Sequence, residues 1–147
     1  MSKSNGTIVG VNGNMLTVQF SDPISQNEVG YAVLDDRRLM SEVVRIKGQF
    51  ADMQVFEDTA GLRIGGPVEF TGDLLSVELG PGLLTQIFDG LQNPLPRLAE
   101  ECGFFLQRGM YMDALPRDTK WAFTPVAEVG ATLTAGETLG TVPEGIY

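Results

Sequence analysis

Glycine and proline, 18 and 8 of the 147 residues, recur between short apolar runs along the chain. That punctuation holds each apolar run to strand length and bounds it with turns, so the chain reads as many short strands. Residues 7–11 and 15–20 flank Asn12-Gly13-Asn14, and Asn-Gly supplies the positive φ angles of a tight hairpin turn. Residues 31–34 and 39–46 flank Asp35-Asp36-Arg37-Arg38, which predicts a second hairpin with a charged tip. Ala51, Met53 and Val55 alternate with Asp52, Gln54 and Phe56, a period of two bracketed by Gly48 and Gly61. Ile64-Gly65-Gly66-Pro67 then turns the chain into Val68-Glu69-Phe70. Six short strands in residues 1–72 predict a small closed or nearly closed barrel, which removes exposed strand edges.

The pattern changes after Gly72. Residues 76–79 read as one more strand, broken by Gly80-Pro81-Gly82. Leu83, Leu84, Ile87, Phe88 and Leu91 fall on one face of a short helix, with Gly90 to cap it and Pro94 and Pro96 to prevent its continuation. Residues 98–102 read as a further helical turn, and Phe104-Phe105-Leu106 as a buried strand. Beyond Trp121-Ala122-Phe123-Thr124-Pro125, glycines recur between single aliphatic residues, the cadence of a flattened sandwich of short strands and tight turns. The fold class expected is therefore mainly β: a small N-terminal β-barrel, a short helical connector, and part of a second, β-sandwich-like unit.

Composition removes several functions. The 19 acidic and 10 basic side chains give a net charge of −9, which opposes nucleic acid and anionic membrane surfaces. Histidine is absent and cysteine occurs once, at Cys102. Most zinc sites, histidine-based nucleophilic mechanisms and any disulfide within the chain are thereby excluded. No apolar run reaches the roughly 18 residues of a membrane span, and no apolar signal region follows Met1-Ser2-Lys3-Ser4-Asn5. The compartment expected is the cytoplasm.

The remaining motifs have plain readings. The three lysines, Lys3, Lys47 and Lys120, stand outside any GxxxxGK[ST] sequence. Gly80-Pro81-Gly82 could offer N–H groups to an anion, but Pro81 removes a donor and no basic residue follows before Arg97, so it reads as a turn. Glu100-Glu101 and Asp35-Asp36 are sequence neighbours that point apart and read as solvated surface. Asp35-Asp36-Arg37-Arg38 is a self-neutralised turn or a partner contact. Trp121 and Phe123 share a strand face and read as core before ligand platform. Gly136-Glu137-Thr138-Leu139-Gly140 has the cadence of biotinyl and lipoyl carriers, yet the nearest lysine, Lys120, lies outside the hairpin. These residues describe an acidic, β-rich binding or assembly module with no catalytic residues, no nucleotide-binding residues and no metal ligands of its own.

Longer stretches resemble a known family. Residues 76–95, SVELGPGLLTQIFDGLQNPL, are similar to a segment of the catalytic A, or alpha, subunit of V-type and archaeal-type rotary ATPases, which reads SVELGPG, a few residues, then IFDGIQ-x-PL. Residues 42–48, EVVRIKG, and 54–62, QVFEDTAGL, resemble that family's GEIIRLEG and IQVYEETSGL. Arg108-Gly109, Ala114-Leu115, Arg117 and residues 120–125, KWAFTP, resemble its RGV, AL-x-R and KW-x-F-x-P, and residues 6–13, GTIVGVNG, its first barrel strand. Asn93 departs from the pattern, standing where an arginine is common.

The resemblance implies that residues 1–72 are a crown barrel, that 73–112 lead toward a nucleotide-binding domain, and that 113–147 begin an outward insertion, incomplete here. It implies that the parent subunit uses MgATP and MgADP while H⁺ or Na⁺ crosses a membrane, whereas this chain, ending before any P-loop, binds no cofactor. Partners implied are the non-catalytic B subunit and further A subunits in a hexameric ring, and a peripheral stalk reached through the insertion, with no nucleic acid and no direct membrane insertion. The location implied is cytoplasmic, peripheral to the membrane. Asn12, Gly13, Asp35, Asp36, Arg37 and Arg38, at the two hairpin tips, are the candidate partner contacts. Unpaired edges in the incomplete sandwich predict marginal stability there, or completion by another chain. The alternatives are a free-standing β-barrel adaptor and, third, a nucleotide-binding enzyme, which the missing P-loop lysine disfavours.

Overall fold

A computed structural model describes residues 4–145. The Met1-Ser2-Lys3 part of the amino-terminal reading, and Tyr147, fall outside them. Two compact units are present: one takes the chain up to Ser76 together with Phe105–Met110, the other takes Val77–Phe104 and residues 111–145.

The first unit is a closed antiparallel barrel of six strands: β1 (Asn5–Asn12), β2 (Met15–Phe20), β3 (Glu28–Leu34), β4 (Arg37–Lys47), β5 (Phe50–Val55) and β6 (Pro67–Leu74). They are ordered β1-β2-β5-β4-β3-β6, and β6 closes on β1 through Asn5↔Glu69, Gly6↔Val68 and Thr7↔Pro67. The register slips at Ile8/Gly10, at Glu28/Gly30 and at Val43/Arg45. Such bulges add local twist, which a sheet of few strands needs in order to close on itself.

Period-two alternation puts one face of every strand inside. Leu16 and Val18 of β2, Ala51, Met53 and Val55 of β5, and Val68 and Phe70 of β6 are buried, with Ile8, Ala32, Leu39 and Val43 completing the core. Phe70 sets the internal spacing, meeting Phe20 edge-on with ring centroids 6.4 Å apart. Its ring lies over the glycines of the two flanking strands. A Cβ on Gly6 would stand 2.9 Å from Phe70 Cε2, and one on Gly30 would stand 3.3 Å from Phe70 Cδ1. The large ring thus fills space that two absent side chains leave free, which preserves close packing inside a narrow barrel.

Two polar side chains are buried among these residues, and both are satisfied. Ser41 donates its hydroxyl hydrogen bond to the Gly30 carbonyl at 2.8 Å. Glu28 accepts from Ser25 N–H at 2.8 Å and from Gly72 N–H at 2.9 Å, joining the loop before β3 to the bulged end of β6. Without these bonds each buried polar group would carry an uncompensated desolvation cost.

The second unit has little regular structure, and several expectations are corrected there. No helix forms over residues 83–91. Thr85 and Gln92 hold positive φ angles, and Asp89 Oδ1 accepts from the N–H groups of Leu91 and Asn93, at 2.9 and 2.8 Å. That side chain competes for the backbone as Asp does in turns. The helix, α1 (Leu95–Cys102), starts where the prolines were read as a stop. Proline fits a first helical turn, whose N–H groups lack intrahelical partners. Gly103, at φ 66°, ends α1 by donating its N–H to Ala99 O.

Phe104-Phe105-Leu106 is not a buried strand: these residues are 102, 84 and 72 % exposed, having no neighbouring strand to pack on. Residues 76–79 are likewise not a strand. Of the expected sandwich the structure shows one short pair, β7 (Thr124–Pro125) against β8 (Gly140–Thr141). Trp121 is half-buried against Gly82, and Phe123 is exposed, so neither is core.

Candidate functional site

In an antiparallel barrel alternate connections gather at one end. Here the β1–β2 turn, the β3–β4 turn and the long connection from β5 to β6 share an end, so both predicted partner tips lie there together. Asn12 is the last residue of β1, opposite Met15, and is exposed. The two-residue turn is Gly13-Asn14, one residue later than the Asn-Gly reading, with Asn12 kept in β1 and glycine alone at positive φ (60°); the Gly13 carbonyl accepts the Thr59 hydroxyl at 2.6 Å.

Asp35 and Asp36 form the second turn, with Asp35 at φ 54°. Arg37 and Arg38 begin β4 rather than completing the tip, opposite Leu34 and Val33. Arg38 pairs with Glu69 across the outer barrel face, and its guanidinium lies 4.6 Å from the Tyr31 ring centroid. The self-neutralised reading therefore has a longer reach than expected: the arginine's carboxylate partner comes from β6, not from the adjacent aspartates.

Sequence reasoning missed what crosses this end. Arg108 of residues 105–110 donates from one nitrogen to the carbonyls of Asp58, at 3.1 Å, and Ala60, at 2.6 Å. Gly109 N–H bonds to Glu57 Oε2 at 2.7 Å. Gly109 takes φ 75°, and a Cβ there would stand 3.3 Å from Arg37 Cβ and 3.4 Å from the Arg38 carbonyl. Two of the six predicted contact residues thus face a segment of their own chain. The signal available in the sequence was the Arg108-Gly109 pair itself, whose glycine marks a close backbone approach.

On the barrel wall, Asp52 accepts from Arg45 Nε at 2.9 Å and from the Thr17 hydroxyl at 3.3 Å. The Arg45 hydrogen bond, the largest effect, holds the Asp52 carboxyl below its ordinary value; burial opposes it, and the Arg45 charge, the Thr17 hydroxyl and Lys47 lower it further by smaller amounts.

In the second unit Asn93, the residue that departs from the resembled pattern, is buried and organises the turn before α1. Its amide nitrogen donates to Asp89 Oδ2 at 2.9 Å and its oxygen accepts from Met112 N–H at 2.9 Å. Gln92 pairs both ends of its amide with the backbone of Glu78, at 2.6 and 2.7 Å, and Glu78 pairs through its carboxylate with Arg117. Gly80-Pro81-Gly82 is a turn, with Gly82 at φ 103° against Pro116 and Trp121. A cavity of about 650 Å³ opens beside it, lined by Leu84, Arg97, Trp121 and Glu144 among others, but the Glu144 carboxylate is already engaged by Leu84 N–H at 3.0 Å. Among the described residues no group of His, Cys, Asp or Glu is arranged to hold a metal ion. Nor is any helix among them long and apolar enough to cross a membrane.

Comparison with known proteins agrees with the barrel. Residues 8–72 match a family described as "ATP synthase alpha/beta family, beta-barrel domain", and residues 112–147 match "ATPsynthase alpha/beta subunit barrel-sandwich domain". The chain is 58 % identical over 147 residues to the V-type ATP synthase alpha chain of Treponema denticola, covering 100 % of this chain and 25 % of the relative. It is 54 % identical over 145 residues to the V-type ATP synthase alpha chain 1 of Treponema pallidum, covering 99 % and 25 %. To the V-type ATP synthase alpha chain of Borreliella burgdorferi it is 54 % identical over 140 residues, covering 95 % and 24 %. The chain thus spans about a quarter of the length of these curated relatives.

Proposed function

The chain belongs to the ATP synthase alpha/beta family, and on that premise we propose that it is the collar and scaffold region of the catalytic subunit of a V-type rotary ATP synthase. In the whole subunit, MgATP is made or hydrolysed while H⁺ or Na⁺ crosses a membrane, and this region holds subunits together while other regions do the chemistry. The observation that carries the reading is the closed barrel, whose strand edges are all paired within the chain. Such a body resists shear, as a collar must while nucleotide domains open and close. Like-folded barrels of the non-catalytic subunit and of further catalytic subunits are its neighbours in a ring, through moderate and largely polar interfaces. The tips at Asn12, Gly13, Asp35 and Asp36 are the contact residues still open to such a neighbour.

Residues 113–147, within the stretch that matches the barrel-sandwich family, are the part directed toward a peripheral stalk. Attachment to the membrane is then indirect, through the assembled complex on its cytoplasmic side. No GxxxxGK[ST] sequence occurs in these 147 residues, so the triphosphate pocket belongs to the remainder of the subunit. Calorimetric titration of MgATP into this chain tests the division of labour, with the complete subunit as the positive control. No saturable heat is expected from the chain; micromolar binding by it would overturn the proposal.

A further inference from the structure

We propose that residues 105–110 are a releasable latch on the barrel, held by Arg108. The barrel is continuous through Ser76, and Phe105–Met110 then returns to the same compact unit. A segment held by burial would hide its apolar side chains, yet Phe105 and Leu106 are 84 and 72 % exposed and Met110 is only partly buried. What holds it is polar: one Arg108 guanidinium nitrogen shared between the Asp58 and Ala60 carbonyls, and the Gly109 N–H bond to Glu57.

All three bonds end on residues 57–60, in the long connection between β5 and β6. That connection also holds the β1–β2 turn through Thr59 and Gly13, and Gly61 lies against Leu34 at the end of β3. One arginine therefore fixes a loop that touches the other two connections at this end. Charge-assisted bonds at a solvated surface are strong enough to order a loop and weak enough to break without unfolding a core. Displacement of the chain on either side of residues 105–110 is passed, through Arg108, to the barrel end that carries Asn12, Gly13, Asp35 and Asp36. The inference does not depend on the family reading.

Hydrogen exchange and limited chymotrypsin digestion of the whole 147-residue chain test it. In Arg108→Ala, amides of residues 57–62 and 105–110 are expected to exchange about tenfold faster or more. Cleavage after Phe105 rises in step, while the β2 and β5 amides keep their protection. Arg108→Lys is intermediate, because its ammonium can also donate to both carbonyls but is more strongly hydrated and sits on a more flexible stem. Arg117→Ala, the same loss of charge in the second unit, leaves residues 57–62 unchanged. Unchanged exchange of residues 57–62 in Arg108→Ala overturns the latch. So does an equal effect of Arg117→Ala, or a loss of protection throughout the barrel, which would make the segment part of the core. Glu57→Gln, which leaves the Arg108 bonds in place, should speed exchange of residues 105–110 less than Arg108→Ala does; an equal or larger effect would count against Arg108 as the holding residue.

Discussion

Replacing Gly6 by alanine tests whether the barrel is sized by its glycines. The added Cβ would stand 2.5 Å from Val18 Cγ1, 2.9 Å from Phe70 Cε2 and 3.1 Å from the Gln19 carbonyl oxygen. Val18 is β-branched and fully buried, and the carbonyl belongs to the β1–β2 ladder, so neither neighbour can move aside alone. Overpacking of this kind costs about 1–3 kcal/mol, while alanine recovers about 0.4–1 kcal/mol by restricting the unfolded chain. The net expectation is a loss of about 1–2 kcal/mol. Gly10→Ala is the matched control, since its nearest neighbour is Thr17 Cβ at an ordinary 3.5 Å. It should be neutral or slightly stabilising, which separates the two variants by roughly 10 °C in Tm for a barrel of this size. The readout is far-UV circular dichroism, followed through a thermal melt and through a urea titration. Fluorescence is unsuitable because the sole tryptophan, Trp121, belongs to the second unit. A Gly6→Ala protein as stable as Gly10→Ala would refute the claim that Val18 and Phe70 pack directly on the β1 backbone. Adding Val18→Ala should recover about 1 kcal/mol of the Gly6→Ala penalty as a coupling energy.

Two further perturbations probe the polar contacts. Glu28→Ala strips the acceptor from the Ser25 and Gly72 N–H groups and should cost about 2–3 kcal/mol in urea unfolding, with Glu28→Gln recovering part of it. Asp52→Asn concerns acid stability. Because Arg45 depresses the Asp52 pKa below 3.8, the carboxylate's contribution is present above the unfolded value and fades as pH falls through the folded one. Unfolding midpoints measured between pH 5 and 2 should therefore fall less steeply in Asp52→Asn. The difference should be no more than about 0.5 kcal/mol, because the pair faces solvent; an equally steep fall would show that the Arg45 contact adds nothing.

The barrel was legible because its determinants are local. Gly13 announces its turn to within one residue, and Ala51, Met53 and Val55 announce their face by alternation alone. The helix was misassigned because the spacing of Leu83, Ile87 and Leu91 carries no information about Asp89, whose carboxylate captures the backbone that a helix would need. Prolines at 94 and 96 have opposite meanings at a helix start and in a helix interior, and only the position of the first turn decides between them. At the candidate site the tips were readable and their neighbours were not. Thr59 reaches Gly13 and Arg108 reaches Asp58 only after closure has brought distant segments to one end, and no period in the sequence records such meetings. Gly6 and Gly30 fall just outside the strands read from the sequence, and nothing local records that Phe70 occupies the space above both.

The β1–β6 seam has a consequence for birth order. On a ribosome β1 emerges first and must wait for the last strand of the barrel before its second edge is covered. Until residues 67–74 have cleared the exit tunnel, the nascent chain presents open ladders that any passing extended segment can bind. The barrel accordingly arrives as a whole, late in its own synthesis, and a stalled or clipped translation product of this region offers a sticky ribbon where a finished one offers a closed surface.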